Sequence, residues 1–118
     1  MTVYVADSSK SVLSGLGKMK TAMIEDYVGF MPPKDEVRKK MCEEYENNFT
    51  ITYGKKYIKI TEKGGGVKAF VVGVDNDKVF KKGDILKPAG YAAPARNKAR
   101  GNILEGNYAI NWTGPLYL

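Results

Sequence analysis

The chain has 118 residues, with 19 Lys and Arg against 13 Asp and Glu for a formal charge of +6, and 43% of its residues are apolar. That is the size of one domain with enough apolar side chain to bury a core, which excludes a second independent core and wholesale disorder. Histidine is absent and cysteine occurs once, at Cys42, so Ser-His and Cys-His nucleophile pairs, imidazole bases, His-containing zinc sites and an intrachain disulfide are excluded as well.

The opening segment, Met1 to Asp7, lacks the cationic start and apolar stretch of a secretory signal, and no apolar run approaches the roughly 20 residues that span a bilayer. The expectation is a cytosolic protein in a reducing compartment, without membrane contact. In that setting the sequons at Asn48 and Asn111 carry no meaning.

Val12, Leu16, Met19, Met23 and Tyr27 recur at spacings of three or four after serines at positions 8 and 9, which predicts a helix over about 9–29. Gly15 and Gly17 weaken it by about 0.5–1 kcal/mol each relative to Ala, and mark places to fray or to approach another backbone closely. Pro32 and Pro33 close this element and open the next. Asp35 and Glu36 fall in a favourable first turn, and Val37, Met41 and Tyr45 share one face of a helix over about 33–47.

From Phe49 the apolar period changes from 3.6 to 2. Phe49–Tyr53 and Tyr57–Thr61 alternate around Gly54 and read as a hairpin with Ile58 and Ile60 on one face and Tyr57 and Lys59 on the other. Turns at Gly64–Gly66 and at Asp75–Asp77 bracket a third strand, Val67–Val74. Gly83-Asp84-Ile85-Leu86 and Gly101-Asn102-Ile103-Leu104 share a pattern 18 residues apart, which reads as a pseudo-repeat or as two similar strand entries. The apolar end, Tyr108–Trp112 and Leu116-Tyr117-Leu118, is expected to dock rather than fray.

Few residues carry the pattern of a catalytic motif. The triple glycine lacks phosphate-loop spacing and precedes a strand; Asp75-Asn76-Asp77 lacks the later ligands of a calcium loop; Glu43, Glu44 and Glu46 read as a solvated helix face; Cys42 reads as a structural thiol. No cofactor, metal or catalytic residue is expected, and the protein is taken as non-enzymatic.

Charge is the informative feature. Residues 1–46 carry net −1, whereas residues 47–118 carry net +7, and the stretch from Lys78 to Arg100 alone carries +6. Its part from Lys87 to Arg100 has no helix or strand period. It either lies along a phosphate backbone or packs as a closed loop on the sheet. Lys55, Tyr57 and Lys59 of the hairpin and Tyr91, Arg96, Lys98 and Arg100 of the loop are the candidate nucleic-acid-binding residues, since cations interleaved with aromatics neutralise phosphate and stack on bases. The alternative is a protein-protein or self-associating module whose charge is incidental. Candidate partners are therefore nucleic acid or another polyanion, a host protein, or a second copy of the chain.

The runs Lys56-Tyr57-Ile58-Lys59-Ile60, Phe80 to Lys87, Pro94 to Asn102 and Trp112 to Tyr117 resemble a recurrent pattern in small uncharacterised proteins of marine tailed phages, over residues 56–118. The resemblance implies a phage accessory protein working in the host cytoplasm. It brings no activity and no catalytic residues, and the helical first half departs from it.

The expected architecture is a single α+β domain over 1–118: a helical part, 1–48, and a basic β part, 49–118, with the two helices packed on a small twisted antiparallel sheet or partly open barrel. Val12, Leu16, Met23, Val37 and Met41 supply the helical side of the core. Ile51, Ile58, Ile60, Phe70, Val72, Ile85, Ile103 and Ile110 supply the strand side.

Overall fold

The computed structural model describes residues 3–63 and 66–115. Among them are two helices and two antiparallel sheets in the order β1 (Val3–Val5), α1 (Val12–Phe30), α2 (Glu36–Asn47), β2 (Phe49–Tyr53), β3 (Tyr57–Glu62), β4 (Gly66–Val72), β5 (Ile85–Leu86), β6 (Tyr108–Asn111) and β7 (Gly114–Pro115). One sheet has the order β1-β6-β7 and the other β2-β3-β4-β5. The α+β expectation holds, but the strands divide into two sheets and do not close into a barrel. Neither helix is long and apolar enough to cross a membrane.

Helix α1 starts at Ser11, whose side chain accepts from the Ser14 N–H at 3.1 Å, two residues beyond the serines expected to cap it. Its apolar stripe, Leu16, Met19 and Met23, is buried against Ile58, Ile60, Ala69 and Val71 of one sheet and Ile110 of the other. The helix thus serves both sheets as a shared core. Gly15 lies against the Ile103 backbone: a Cβ there would lie 2.7 Å from the Ile103 carbonyl oxygen, whereas at Gly17 it would meet nothing within 4 Å.

Helix α2 departs from expectation. Its N-cap is Asp35, which accepts from the Arg38 N–H at 2.9 Å, and the two prolines lie in the connection before it. Only Tyr45 of its apolar stripe is buried; Val37 is 71% and Met41 37% exposed, so neither belongs to the core. The reason is length: Val37 stands about 12 Å along the axis from Tyr45, and the first two turns project past the surface that Tyr45 reaches.

Strand β4 is buried on both faces. Ala69 and Val71 meet α1, while Phe70 and Val72 turn the other way and form a second cluster with Leu86 and Phe80, edged by Tyr57, Val74 and Ala99. Phe70 and Val72 are therefore core residues, but of a separate cluster that the segment after β4 must cover. Asp77 anchors that cover. Its carboxylate accepts from the Val79 and Phe80 N–H groups at 2.8 and 2.9 Å, from both terminal nitrogens of Arg96 at 3.0 Å, and pairs with Lys56 at 3.1 Å. Arg96 also donates to the Tyr57 hydroxyl and lies 4.9 Å from the Phe80 ring centroid.

The two Gly-[Asp/Asn]-Ile-Leu runs pair with each other. Asp84 and Asn102 form an antiparallel bridge, the Ile85 N–H donates to Gly101 at 2.8 Å and the Ile103 N–H to Gly83 at 2.9 Å, a local two-fold arrangement in which like positions exchange like bonds. Between them the Lys87–Arg100 segment closes on itself through a Pro88–Pro94 bridge and the Ala95 N–H to Lys87 bond, with Tyr91 near its tip. The expected turn at Gly64-Gly65 and the expected docking of Leu116-Tyr117-Leu118 lie outside the described residues.

Gly15→Ala is expected to destabilise the protein by about 1–3 kcal/mol through overpacking against the Ile103 backbone, and Gly17→Ala to stabilise it by about 0.5–1 kcal/mol through helix propensity. Urea melts of both variants check the contrast. The Arg96 hydrogen bonds and then the Phe80 and Val79 N–H groups hold the Asp77 carboxyl well below its ordinary value of 3.8. The stability this contributes is complete above that value and is lost as pH falls below it. Asp77→Asn should therefore lower the melting temperature at pH 7, and the gap to the parent protein should close on acidification from pH 5 toward pH 2.

Candidate anion-binding face

In the β2–β3 hairpin the Lys63 N–H donates to Asn48 at 3.1 Å and the Gly54 N–H to Tyr57 at 2.9 Å, so the ladder is in the register Thr50–Thr61 and Thr52–Lys59. Alternation then sends Phe49 and Ile51 toward α1, and Thr50, Thr52, Lys59 and Thr61 to the outer face. The covering segment shields only the β4 side of that face. On the β2 side a groove of about 380 Å³ remains open, lined by Asn47, Asn48, Thr50, Thr52, Lys59, Thr61, Lys63 and Tyr91.

Lys59 and Tyr91, brought together from positions 32 residues apart, form the wall of this groove. The ammonium of Lys59 sits 3.9 Å from the centroid of the Tyr91 ring, and Tyr91 is 72% exposed. A cation over an aromatic ring is attracted by the negative face of the π system, and most of the Tyr91 side chain is left open to solvent. Three threonine hydroxyls and two asparagine side chains add hydrogen-bonding groups, and the groove lining holds two lysines and no carboxylate.

The other sequence-picked residues lie elsewhere. Lys55 is exposed in the turn between β2 and β3, and Lys98 is exposed in the covering segment. Tyr57 is half-buried, edge-on to Phe70 at 6.1 Å, and its hydroxyl serves Arg96. Arg96 spends both terminal nitrogens on Asp77. Arg100 is 7% exposed, and its backbone N–H is bonded to Ile85 at 2.7 Å. Tyr57, Arg96 and Arg100 thus help to hold the covering segment that carries Tyr91, Arg96 while still partly exposed. Sequence reading missed Thr50, Thr52, Thr61 and Lys63; the alternation that placed Lys59 outward also places Thr61, and the hairpin register adds Thr50 and Thr52.

A second polar centre lies where the helices meet the sheets. Lys68 is the extra residue of a β-bulge, because Ile60 faces Ala69 while Thr61 faces Val67. Its buried ammonium lies 3.9 Å from Glu62 and 5.5 Å from the Trp112 ring centroid. Burial pushes its pKa down, and Glu62 works against that shift. Beside it Tyr27 and Tyr45 stack at 4.2 Å, the Tyr45 hydroxyl donates to the Trp112 carbonyl at 2.6 Å, and the buried Asp26 accepts from the Trp112 N–H at 2.9 Å. Taken together these contacts join α1, α2 and the two sheets, so the cluster is a structural joint. Nearby, burial and then Glu43 hold the Cys42 thiol above its ordinary value, which disfavours the thiolate a nucleophile needs.

Tyr45→Phe removes the hydroxyl that bonds the Trp112 carbonyl but keeps the ring stack. It is expected to cost about 1–2 kcal/mol, because a part-buried carbonyl loses its donor. Comparing its denaturant midpoint with the parent's reads this directly.

No curated protein and no solved structure matches the chain. A family model matches residues 5–118, which takes in both helices as well as the β part and so extends past the 56–118 stretch that carries the sequence resemblance. On that match the chain belongs to DUF7717, a family of unknown function.

Proposed function

We propose that this protein is a non-enzymatic binding module that holds an anionic partner, nucleic acid first among them, on the outer face of the β2–β3 hairpin. The observation that carries this reading is the open groove in which Lys59, seated over the Tyr91 ring, and Lys63 face three threonine hydroxyls with no carboxylate in the lining. Phosphate oxygens accept from lysine and threonine alike, and an exposed tyrosine offers a stacking platform for an unpaired base. Lys55, at the end of the same hairpin, and Lys98 extend the positive field. Arg96 and Arg100 belong to the support of this surface. The resemblance of residues 56–118 to tailed-phage proteins supports a role as a phage accessory protein in a host cytoplasm.

The test is fluorescence anisotropy with labelled single-stranded DNA, duplex DNA and RNA, from about 50 to about 300 mM salt. Binding that weakens steeply with salt is expected. Lys59→Ala with Lys63→Ala should weaken all three ligands and reduce the salt slope by about 2, while Tyr91→Ala should cost the single-stranded ligands about 1–3 kcal/mol and spare duplex. Absence of binding to any of the three at the lowest salt would sink the assignment.

A further inference from the structure

Beside this groove the same hairpin ends in an open sheet edge. β2 ends the four-stranded sheet and pairs with β3 alone. Because Asn48 with Lys63 and Gly54 with Tyr57 are bonded positions, the even-numbered residues of β2 face β3, and the N–H and C=O groups of Phe49, Ile51 and Tyr53 point away from the sheet. Among the described residues none of these six groups has a backbone partner. Among the described residues the other edges are shorter or covered: β5 has two residues and is bonded on its far side to the Arg100–Gly101 segment, β7 has two, one of them Pro115, and β1 has three.

Edges left open in soluble proteins normally carry a lysine, a proline or a bulge. β2 reads Phe-Thr-Ile-Thr-Tyr and has none of these, in a chain of which 27% is charged. Tyr53 is 60% exposed, and Phe49 and Ile51 are only partly buried.

We propose that β2 pairs antiparallel with β2 of a second copy about a two-fold axis through Ile51, making one eight-stranded sheet. The strand is complementary to itself in that register. Ile51 meets Ile51 of the second copy, Phe49 meets Tyr53, and Thr50 meets Thr52, so an aromatic pair forms on one face and a hydroxyl pair on the other. All three outward-facing residues become bonded positions, each exchanging N–H···O bonds in both directions. Just past the strand, the exposed Lys55 of the turn comes toward the end of α2, where Glu46 supplies a carboxylate. Sliding by two residues sets Phe49 against Lys55 or Tyr53 against Asn47, and sliding by one turns unbonded positions to the seam. The two-fold also closes the assembly. The edges left at either end of the joined sheet are the covered β5 strands, so a dimer forms and a filament does not.

The backbone groups this inference uses lie on the edge of the hairpin, although Thr50 and Thr52 beside them also line the proposed groove, so the oligomeric state is read separately from anion binding. Light scattering after size exclusion is expected to give twice the mass of one chain, and amide exchange followed by NMR should find Phe49, Ile51 and Tyr53 protected together with Thr50 and Thr52. Tyr53→Pro deletes an outward N–H that the chain's own ladder does not use. It should give a folded monomer with an unchanged far-ultraviolet spectrum. Thr50 and Thr52 both replaced by Lys, and both replaced by Glu, should each be monomeric alone and recover the dimer when mixed. A parent protein that stays at the mass of one chain up to about 200 µM, with fast exchange at Phe49, Ile51 and Tyr53, overturns the proposal. So does a dimer that survives Tyr53→Pro, which would place the interface elsewhere.

Discussion

The burial of β4 on both faces is the constraint from which the rest of the molecule follows. A strand whose side chains alternate between two apolar clusters needs a layer on each side. Helix α1 supplies one layer through Leu16, Met19 and Met23. No second helix is available for the other side, because α2 is held at its C-terminal end and projects away. The layer there is built from irregular chain, the segment after β4, with Phe80 and Ala99 laid over Phe70, Val72 and Leu86. Irregular chain has few backbone bonds of its own to hold it in place, which explains why so much polar chemistry converges on Asp77: two N–H groups, a bidentate guanidinium and a lysine in one place.

That cover also shapes the surface. It stops short of β2, and the uncovered part of the outer face is the polar groove; its boundary is Tyr91, carried by a closed loop whose base is fixed by the Pro88–Pro94 bridge. Three of the cations conspicuous in the sequence are thereby used on the molecule itself, since Lys56 and Arg96 neutralise Asp77 and Lys87 donates to the Pro115 carbonyl at 2.6 Å. A charge count treats all lysines and arginines alike. A fold divides them into those that hold the chain and those left facing water.

The bulge at Lys68 solves a different problem. A regular β4 would keep every residue in step with β3 and offer no way to bring a lysine inward beside Glu62. One extra residue turns Lys68 toward Tyr45 and Trp112, and the resulting joint ties the only well-packed turn of α2 to the β6–β7 turn. Gly114, at φ +122°, brings its Cα against the Lys68 carbonyl, an approach that a side chain would block.

Much of the secondary structure is legible in the chain's local pattern, although β1 and β7 are too short to carry a period. Periods of 3.6 and 2 are written in adjacent residues, so α1, the hairpin and the inward set Ile58, Ile60 and Ile85 follow from local pattern. The change of charge at residue 47 is equally local. Long-range packing sets how the β half splits into two sheets, that the Gly-[Asp/Asn]-Ile-Leu runs bond to each other, that Val37 and Met41 stay in water, and that Arg96 is paired with Asp77. Each of these depends on which distant segment arrives beside a residue. A stripe at helical spacing states that one face of α2 is apolar, but not how far the surface opposite it extends. In the same way a guanidinium is drawn to whichever carboxylate the fold brings within 3 Å, and nothing in the 18 residues between Asp77 and Arg96 records that they will meet.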